Sequence, residues 1–285
     1  MSGRIATVAV VGAGTMGQGI AQVCAASGYN TKIYDVTPAL ANKAIDNISQ
    51  GLAQLVAKGK VTEETRTNTL SRLSTASQLA DLKVDVVIEA IVEKLDIKQK
   101  LFAELEAINL GKAILATNTS SIPVTQIASV LKNPQQCVGL HFFNPAPLMK
   151  LVEVISGVAT SHDVAEEMKI FSASLHKTAV MVKDSPGFIV NRVARHYYVE
   201  ALKLLEEGVA THEQIDRLLK SAGFKMGPFE LMDLIGMDVN FAVTSSLYHS
   251  FHQEPRFRPS RIQEQKVMAQ QLGRKTGKGF YEHNV

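Results

Sequence analysis

The stretch Thr7 to Gly17, TVAVVGAGTMG, limits what this chain can fold into more than any other. Thr7 to Val11 is β-branched and apolar without alternation, the pattern of a strand covered by helices on both faces of a parallel sheet. It breaks at Gly12, Gly14 and Gly17, and a helical pattern runs from Thr15 to about Ser27. In a G-x-G-x-x-G turn the first glycine permits the tight bend, the second lets a pyrophosphate approach the backbone, and the third lets helix pack close to strand. Free N–H groups and the macrodipole at the start of the helix favour that anion.

A glycine turn alone is satisfied by any tight bend, so its surroundings decide. After Gly28 a second strand, Thr31 to Tyr34, ends in Asp35. An acid about twenty residues beyond the glycines is where a carboxylate accepts hydrogen bonds from ribose hydroxyls. The same charge repels a 2′-phosphate. The pattern therefore predicts a dinucleotide site for NAD rather than NADP, contacted by Gly12, Ala13, Gly14, Thr15, Met16, Gly17 and Asp35.

With 285 residues and 46% hydrophobic composition the chain can build two ordinary cores. A formal net charge of +3 argues against a dedicated nucleic-acid binder and suits a small anionic substrate. Trp is absent, and aromatics do not alternate with basic residues as a single-strand platform requires. Cys24 and Cys137 lack metal or redox spacing and read as small core residues. No export signal and no membrane-length apolar run is evident, so a cytoplasmic setting without a membrane partner is expected.

Between Thr37 and Arg72 the chain reads as two helices, with Pro38 at a helix start, Leu40, Ala44, Ile48, Leu52 and Leu55 at helical spacing, a break at Gly59 and a new start at Thr62. Lys43, Lys58, Lys60 and Arg66 decorate this hairpin. Strands follow at Asp85 to Glu89, Ala113 to Thr117, Cys137 to Leu140, Leu151 to Ile155 and Ala179 to Val182, with helices at Ile97 to Ile108 and Asp163 to Leu175. Ligands of open α/β sheets bind past the strand ends, which brings forward Glu93 and Lys98, Asn118 to Ser121, and His141 to Pro145. From Pro186 onward the pattern is helical, with Val193, Tyr197, Ala201, Leu204 and Leu205 as an apolar stripe. The expected fold is α/β, a Rossmann-type and mostly parallel sheet with an inserted helical hairpin in residues 1–185, then an all-α domain in residues 186–285.

Glu153 lies between Val152 and Val154, where a carboxylate is costly to bury without a partner. His141, across what reads as a loop between neighbouring strands, is the nearest candidate. Together they have the composition of a general base oriented by a carboxylate.

These residues bring a family into view. VGAGTMG at Val11 to Gly17, EAIVE at Glu89 to Glu93, TNTSS at Thr117 to Ser121, HFFNPAP at His141 to Pro147, PGFIVNR at Pro186 to Arg192 and GRKTGKGFY at Gly273 to Tyr281 together resemble the NAD-dependent (S)-3-hydroxyacyl-CoA dehydrogenases, in their short, 3-hydroxybutyryl-CoA dehydrogenase-like form, over essentially the whole length. The resemblance implies His141 as catalytic base paired with Glu153, and Ser120 and Asn191 as holders of the substrate's 3-oxygen and thioester region. It implies that Glu93, Lys98, Asn144 and Lys275 join Asp35 at the NAD site, and that Lys58 and Ser120 contact the acyl-CoA. It further implies a homodimer through the helical domain. Gly51 stands where the family has a serine, and His196 where it usually has Pro or Ala. A lysine-based β-hydroxyacid dehydrogenase and a non-catalytic NAD(H)-binding protein are the competing readings. Arg256, Arg258 and Arg261 read as a solvated cluster that could instead face a dicarboxylyl-CoA such as 3-hydroxyadipyl-CoA.

Overall fold

In the computed structural model, which describes residues 5–284, the apolar run becomes strand β1 (Thr7–Val11) inside an eight-stranded sheet. No side chain from Val8 to Val11 exceeds 2% exposure. The chain continues through α1 (Thr15–Ala26), β2 (Asn30–Tyr34), α2 (Pro38–Ala57), α3 (Glu63–Ser71), β3 (Leu73–Thr75), β4 (Val86–Glu89), α4 (Leu95–Ile108), β5 (Ile114–Thr117), α5 (Val124–Ala128), β6 (Cys137–Phe142), β7 (Leu151–Ser156), α6 (His162–Ser174) and β8 (Thr178–Lys183). The strand order is β3-β2-β1-β4-β5-β6-β7-β8. Helical crossovers make the neighbours parallel, except that β6 and β7, joined without a helix, pair antiparallel.

Apolar side chains from both faces of the sheet close against helices. Ile20 and Cys24 of α1 and Met168 and Phe171 of α6 are fully buried with Val10, Ile88, Leu140 and Val154 in one cluster. Each large side chain so buried contributes about 1.5–3 kcal/mol. Burial pushes the Cys24 thiol up to about 12 and raises that of Cys137 further, so neither is a nucleophile at neutral pH.

The hairpin lies where expected, with one shift. The buried face of α2 is Ala41, Ala44, Ile48 and Leu52, while Leu40 is 46% exposed. Thr62 Oγ1 caps α3 by accepting from Thr65 N at 3.1 Å. The sequence reading omits β3, an edge strand of three residues whose Ser74 and Thr75 carry no apolar alternation; it pairs parallel to β2 with Thr31 opposite Leu73.

One compact unit runs to Ser185 and a second begins at Pro186. The second is helical: α7 (Val190–Glu206), α8 (His212–Ser221), α9 (Pro228–Ile235), α10 (Met237–Ser250) and α11 (Arg261–Met268). Tyr198, Ala201 and Leu202 of α7 pack with Ile215, Phe229, Met232 and Met237. The buried stripe of α7 is therefore rotated from the expected one. Val193 is 67% exposed, and Arg195 occupies the core face one turn before Val199 and Tyr198. No helix among the described residues is long and apolar enough to cross a membrane.

Phe171 is fully buried and its ring lies 5.0 Å from that of Tyr29. Phe171→Ala should lower the unfolding free energy by about 3–5 kcal/mol, measured by urea titration of the intact chain.

Candidate active site

The glycine turn has the geometry of a phosphate cradle. Gly12 has φ +103°, and a Cβ there would lie 2.5 Å from the Ala90 carbonyl oxygen. A Cβ on Gly17 would lie only 1.8 Å from the Gly12 carbonyl oxygen, so α1 can approach β1 closely only without a side chain. At Gly14 a Cβ would meet nothing within 4 Å, which leaves the backbone open to an incoming group. The first turn of α1 carries no acid and no side-chain cap, so its N–H groups remain for an anion. Asp35 directly follows β2, half-buried, its Oδ2 accepting from Ala13 N at 2.9 Å and its Oδ1 from Thr37 N at 3.0 Å. Each oxygen retains a lone pair for a further donor such as a hydroxyl. The residues present fit a dinucleotide.

At the same sheet edge, charged side chains organise the loops after β4 and β5. Lys98 on α4 is 1% exposed and donates to Glu89 Oε1 at 2.5 Å and to Glu93 Oε2 at 3.2 Å. Glu89 is fully buried; its Oε2 accepts from Thr117 Oγ1 at 2.7 Å and its Oε1 from Ile91 N at 2.7 Å. Glu93 Oε1 gathers the next loop, accepting from Thr119 Oγ1 at 2.6 Å, Ser120 N at 3.0 Å, Ser121 N at 3.1 Å and Ser121 Oγ at 3.0 Å. Burial alone would raise the Glu93 carboxyl. The Lys98 ammonium and the hydroxyls of Thr119 and Ser121 more than reverse this and hold it below the usual carboxylate range. The Lys98 ammonium, expected at the NAD site, is thus enclosed between two carboxylates.

His141 stands near the end of β6 at 5% exposure, and Glu153 directly opposite on β7 at 1%. The Nδ1 nitrogen lies 2.8 Å from Glu153 Oε2. Phe143 packs against the imidazole with ring centroids 4.5 Å apart, and Phe142 N donates to Asn118 Oδ1 at 2.8 Å, tying the β5 loop to β6.

Of the remaining candidates, Lys58, Gly51 and Asn144 belong to the first unit and Asn191, Lys275 and His196 to the second. Lys58 is exposed at the C-cap of α2, and Gly51 is exposed on the same helix. Asn144 is exposed after β6. In the second unit Asn191 occupies the first turn of α7, and Lys275 Nζ donates to both oxygens of Asp238 at 2.6 Å. His196 is exposed, and its ring lies tilted against that of Phe257 with centroids 5.2 Å apart. Glu89 and Thr117 are not among the candidates the sequence brings forward; the signal for Glu89 is an acid closing an otherwise apolar strand.

A doubly wound sheet with a fitted glycine turn and ribose-side acid defines a dinucleotide-binding protein, here with a buried His–Glu pair at the sheet edge. Comparison with known proteins makes this specific. Residues 7–185 match the family model described as 3-hydroxyacyl-CoA dehydrogenase, NAD binding domain, and residues 187–283 that of the 3-hydroxyacyl-CoA dehydrogenase C-terminal domain. A 3-hydroxyadipyl-CoA dehydrogenase of Escherichia coli K12 is 50% identical over 98% of this chain, which spans 59% of that protein's length. A 3-hydroxybutyryl-CoA dehydrogenase of Clostridioides difficile is 42% identical over 97% of this chain and 99% of its own. The crystal structure of (S)-3-hydroxybutyryl-CoA dehydrogenase from Ralstonia eutropha superposes with a TM-score of 0.95 at 40% identity, covering 99% of this chain and 100% of that one. The chain belongs to the NAD-binding 3-hydroxyacyl-CoA dehydrogenase family.

Lys98→Met should cost about 3–5 kcal/mol in urea unfolding, because it leaves Glu89 buried without a cation. The depressed Glu93 carboxyl contributes stability that is complete above the unfolded-state value and is lost as pH falls through the folded one. Glu93→Gln should therefore differ most from the parent near neutral pH, with the gap narrowing below about pH 4.5.

Proposed function

We propose that this chain oxidises (S)-3-hydroxyacyl-CoA thioesters to 3-oxoacyl-CoA with NAD, reversibly, with His141 as acid/base. The observation that carries this reading, in a chain of this family, is the 2.8 Å hydrogen bond between His141 Nδ1 and the buried Glu153 carboxylate. With Nδ1 engaged, proton exchange with a substrate falls to Nε2. In oxidation Nε2 takes the proton of the 3-hydroxyl, and Glu153 stabilises the imidazolium that forms. In reduction the same cation returns the proton to the ketone oxygen. Bound NAD supplies the hydride acceptor.

Ser120 and Asn191 are assigned to the 3-oxygen and thioester region, and Glu93 fixes the loop that carries Ser120. Gly12 to Gly17 with Asp35 hold NAD, assisted by Glu93, Asn144 and Lys275, with Lys98 acting through Glu93. Lys58 meets the CoA phosphates from the exposed end of α2. The substrate is of the 3-hydroxybutyryl-CoA type; 3-hydroxyadipyl-CoA is the second reading, supported by the name of the E. coli relative at 50% identity. A homodimer through the helical unit and a cytoplasmic setting complete the reading.

His141→Ala should lower kcat by roughly 10²–10⁴, with a smaller change in KM, in steady-state reduction of acetoacetyl-CoA by NADH. An unchanged kcat would remove His141 from the reaction.

A further inference from the structure

The cluster at the end of β4 holds more negative charge than its hydrogen bonds require. Glu89 Oε1 accepts from Lys98 Nζ at 2.5 Å and from Ile91 N at 2.7 Å, and Oε2 accepts from Thr117 Oγ1 at 2.7 Å. Thr117 Oγ1 in turn accepts from Thr119 N at 3.2 Å. The three donors around Glu89 suit a carboxylate and leave no acceptor for a carboxyl proton. Lys98 also reaches Glu93 Oε2 at 3.2 Å, so one ammonium serves two carboxylates and the trio keeps one negative charge.

Fixing the β5 loop uses Glu93 and Lys98. A neutral amide at position 89 has the same reach toward Lys98, Ile91 and Thr117, and the Thr117 hydroxyl can accept as well as donate. What Glu89 adds is charge, in a place where water does not screen it. Glu89 is 0% and Lys98 1% exposed, whereas the Glu93 side chain, at 35%, brings the cluster to the surface of the sheet edge.

The sheet order puts that charge on a definite side of the glycine turn. β1 lies between β2 and β4, with β5 next beyond. A dinucleotide with its pyrophosphate on the turn after β1 and its adenosine at the acid after β2 extends its other half past β4, across the crevice of the doubly wound fold. That half carries the nicotinamide, a cation when oxidised and neutral when reduced, and charge near the ring tunes the difference.

We propose that the Glu89 carboxylate sets the preference of this site between the two forms of its cofactor, favouring the cationic, oxidised nicotinamide over NADH. This rests on the assignment of NAD to the glycine turn and to Glu93 above. Glu89 is a positioning residue: by engaging Lys98 it keeps that ammonium from cancelling Glu93. A unit charge about 10 Å from the ring, at an effective dielectric constant of about 20, changes the relative affinity of the two forms on the order of tenfold.

The test measures the dissociation constants of NAD and NADH separately by calorimetry, at one pH and ionic strength. Glu89→Gln should shift the ratio of the two constants about tenfold toward NADH. Glu89→Asp, which keeps the charge but shortens the reach to Lys98, should leave the ratio at the parent value even where both affinities fall. Lys98→Met removes the ammonium from two carboxylates and should shift the ratio in the opposite direction, and the double variant Glu89→Gln, Lys98→Met should return it to the parent value. A purely structural role for Glu89 weakens both forms together and leaves the ratio unmoved. An unmoved ratio in Glu89→Gln, or shifts of the same sign in Glu89→Gln and Lys98→Met, overturns the proposal. Should Lys98→Met fail to fold, the comparison of Glu89→Gln with Glu89→Asp still decides, and equal ratios overturn it. A parent chain that binds neither form overturns the NAD assignment itself, whereas binding of both forms with a ratio indifferent to Glu89→Gln overturns only the role of Glu89.

Discussion

A carboxylate at 1% exposure in the middle of an apolar strand is stable only with a donor against it, and Glu153 obtains one because β6 and β7 run antiparallel in a single register. That register places Gly139 opposite Ile155 and His141 opposite Glu153. A slip of one residue would turn the imidazole to the other face of the sheet. Gly139 helps to fix it, since a Cβ there would lie 2.8 Å from both Ile155 Cβ and Val124 Cγ2. The reversal of chain direction at this point, an irregularity in an otherwise parallel sheet, is what aligns an acid and a base across a strand pair. The proposed proton chemistry depends on that alignment.

Much of the first unit was legible because its strands are short apolar runs bounded by turn residues, and because an acid inside such a run draws attention. Glu153 was read on that ground. Glu89 escaped the same treatment since it closes its strand, where acids are ordinary, and its partner Lys98 lies on the following helix. The hydrogen bonds from Thr119, Ser120 and Ser121 to Glu93 join two loops that are adjacent only after β4 and β5 pair. In α7 the apolar stripe was read about one residue off. A charged residue on the buried face is invisible to a hydrophobic pattern, and Arg195 is such a residue.

Apart from Lys275, the tail motif Gly273 to Tyr281 stands in the sequence as a family mark, and two buried aspartates account for its glycines and aromatic residues. Asp233 accepts from Phe280 N and Tyr281 N at 2.9 Å and lies 2.8 Å from His283 Nε2. A Cβ on Gly279 would fall 2.1 Å from Asp233 Oδ1, and one on Gly273 would fall 2.3 Å from the Asp233 carbonyl oxygen. Asp216 accepts from Tyr281 Oη at 2.8 Å and from Phe229 N and Glu230 N at the start of α9. Burial and the adjacent Asp216 raise the Tyr281 phenol well above its ordinary value. The tail is thus fastened to α8 and α9 by backbone amides, a phenol and an imidazole on acidic side chains.

Asp35 has a structural duty besides any contact with a ribose. Its two oxygens hold the amides of Ala13 and Thr37, one in the glycine turn and the other before α2. Redesigning such a site toward a phosphorylated coenzyme by deleting the charge would also release both amides. Asparagine, which keeps one acceptor oxygen at the same reach and so can retain one of the two amides, is the more conservative starting point for altering selectivity.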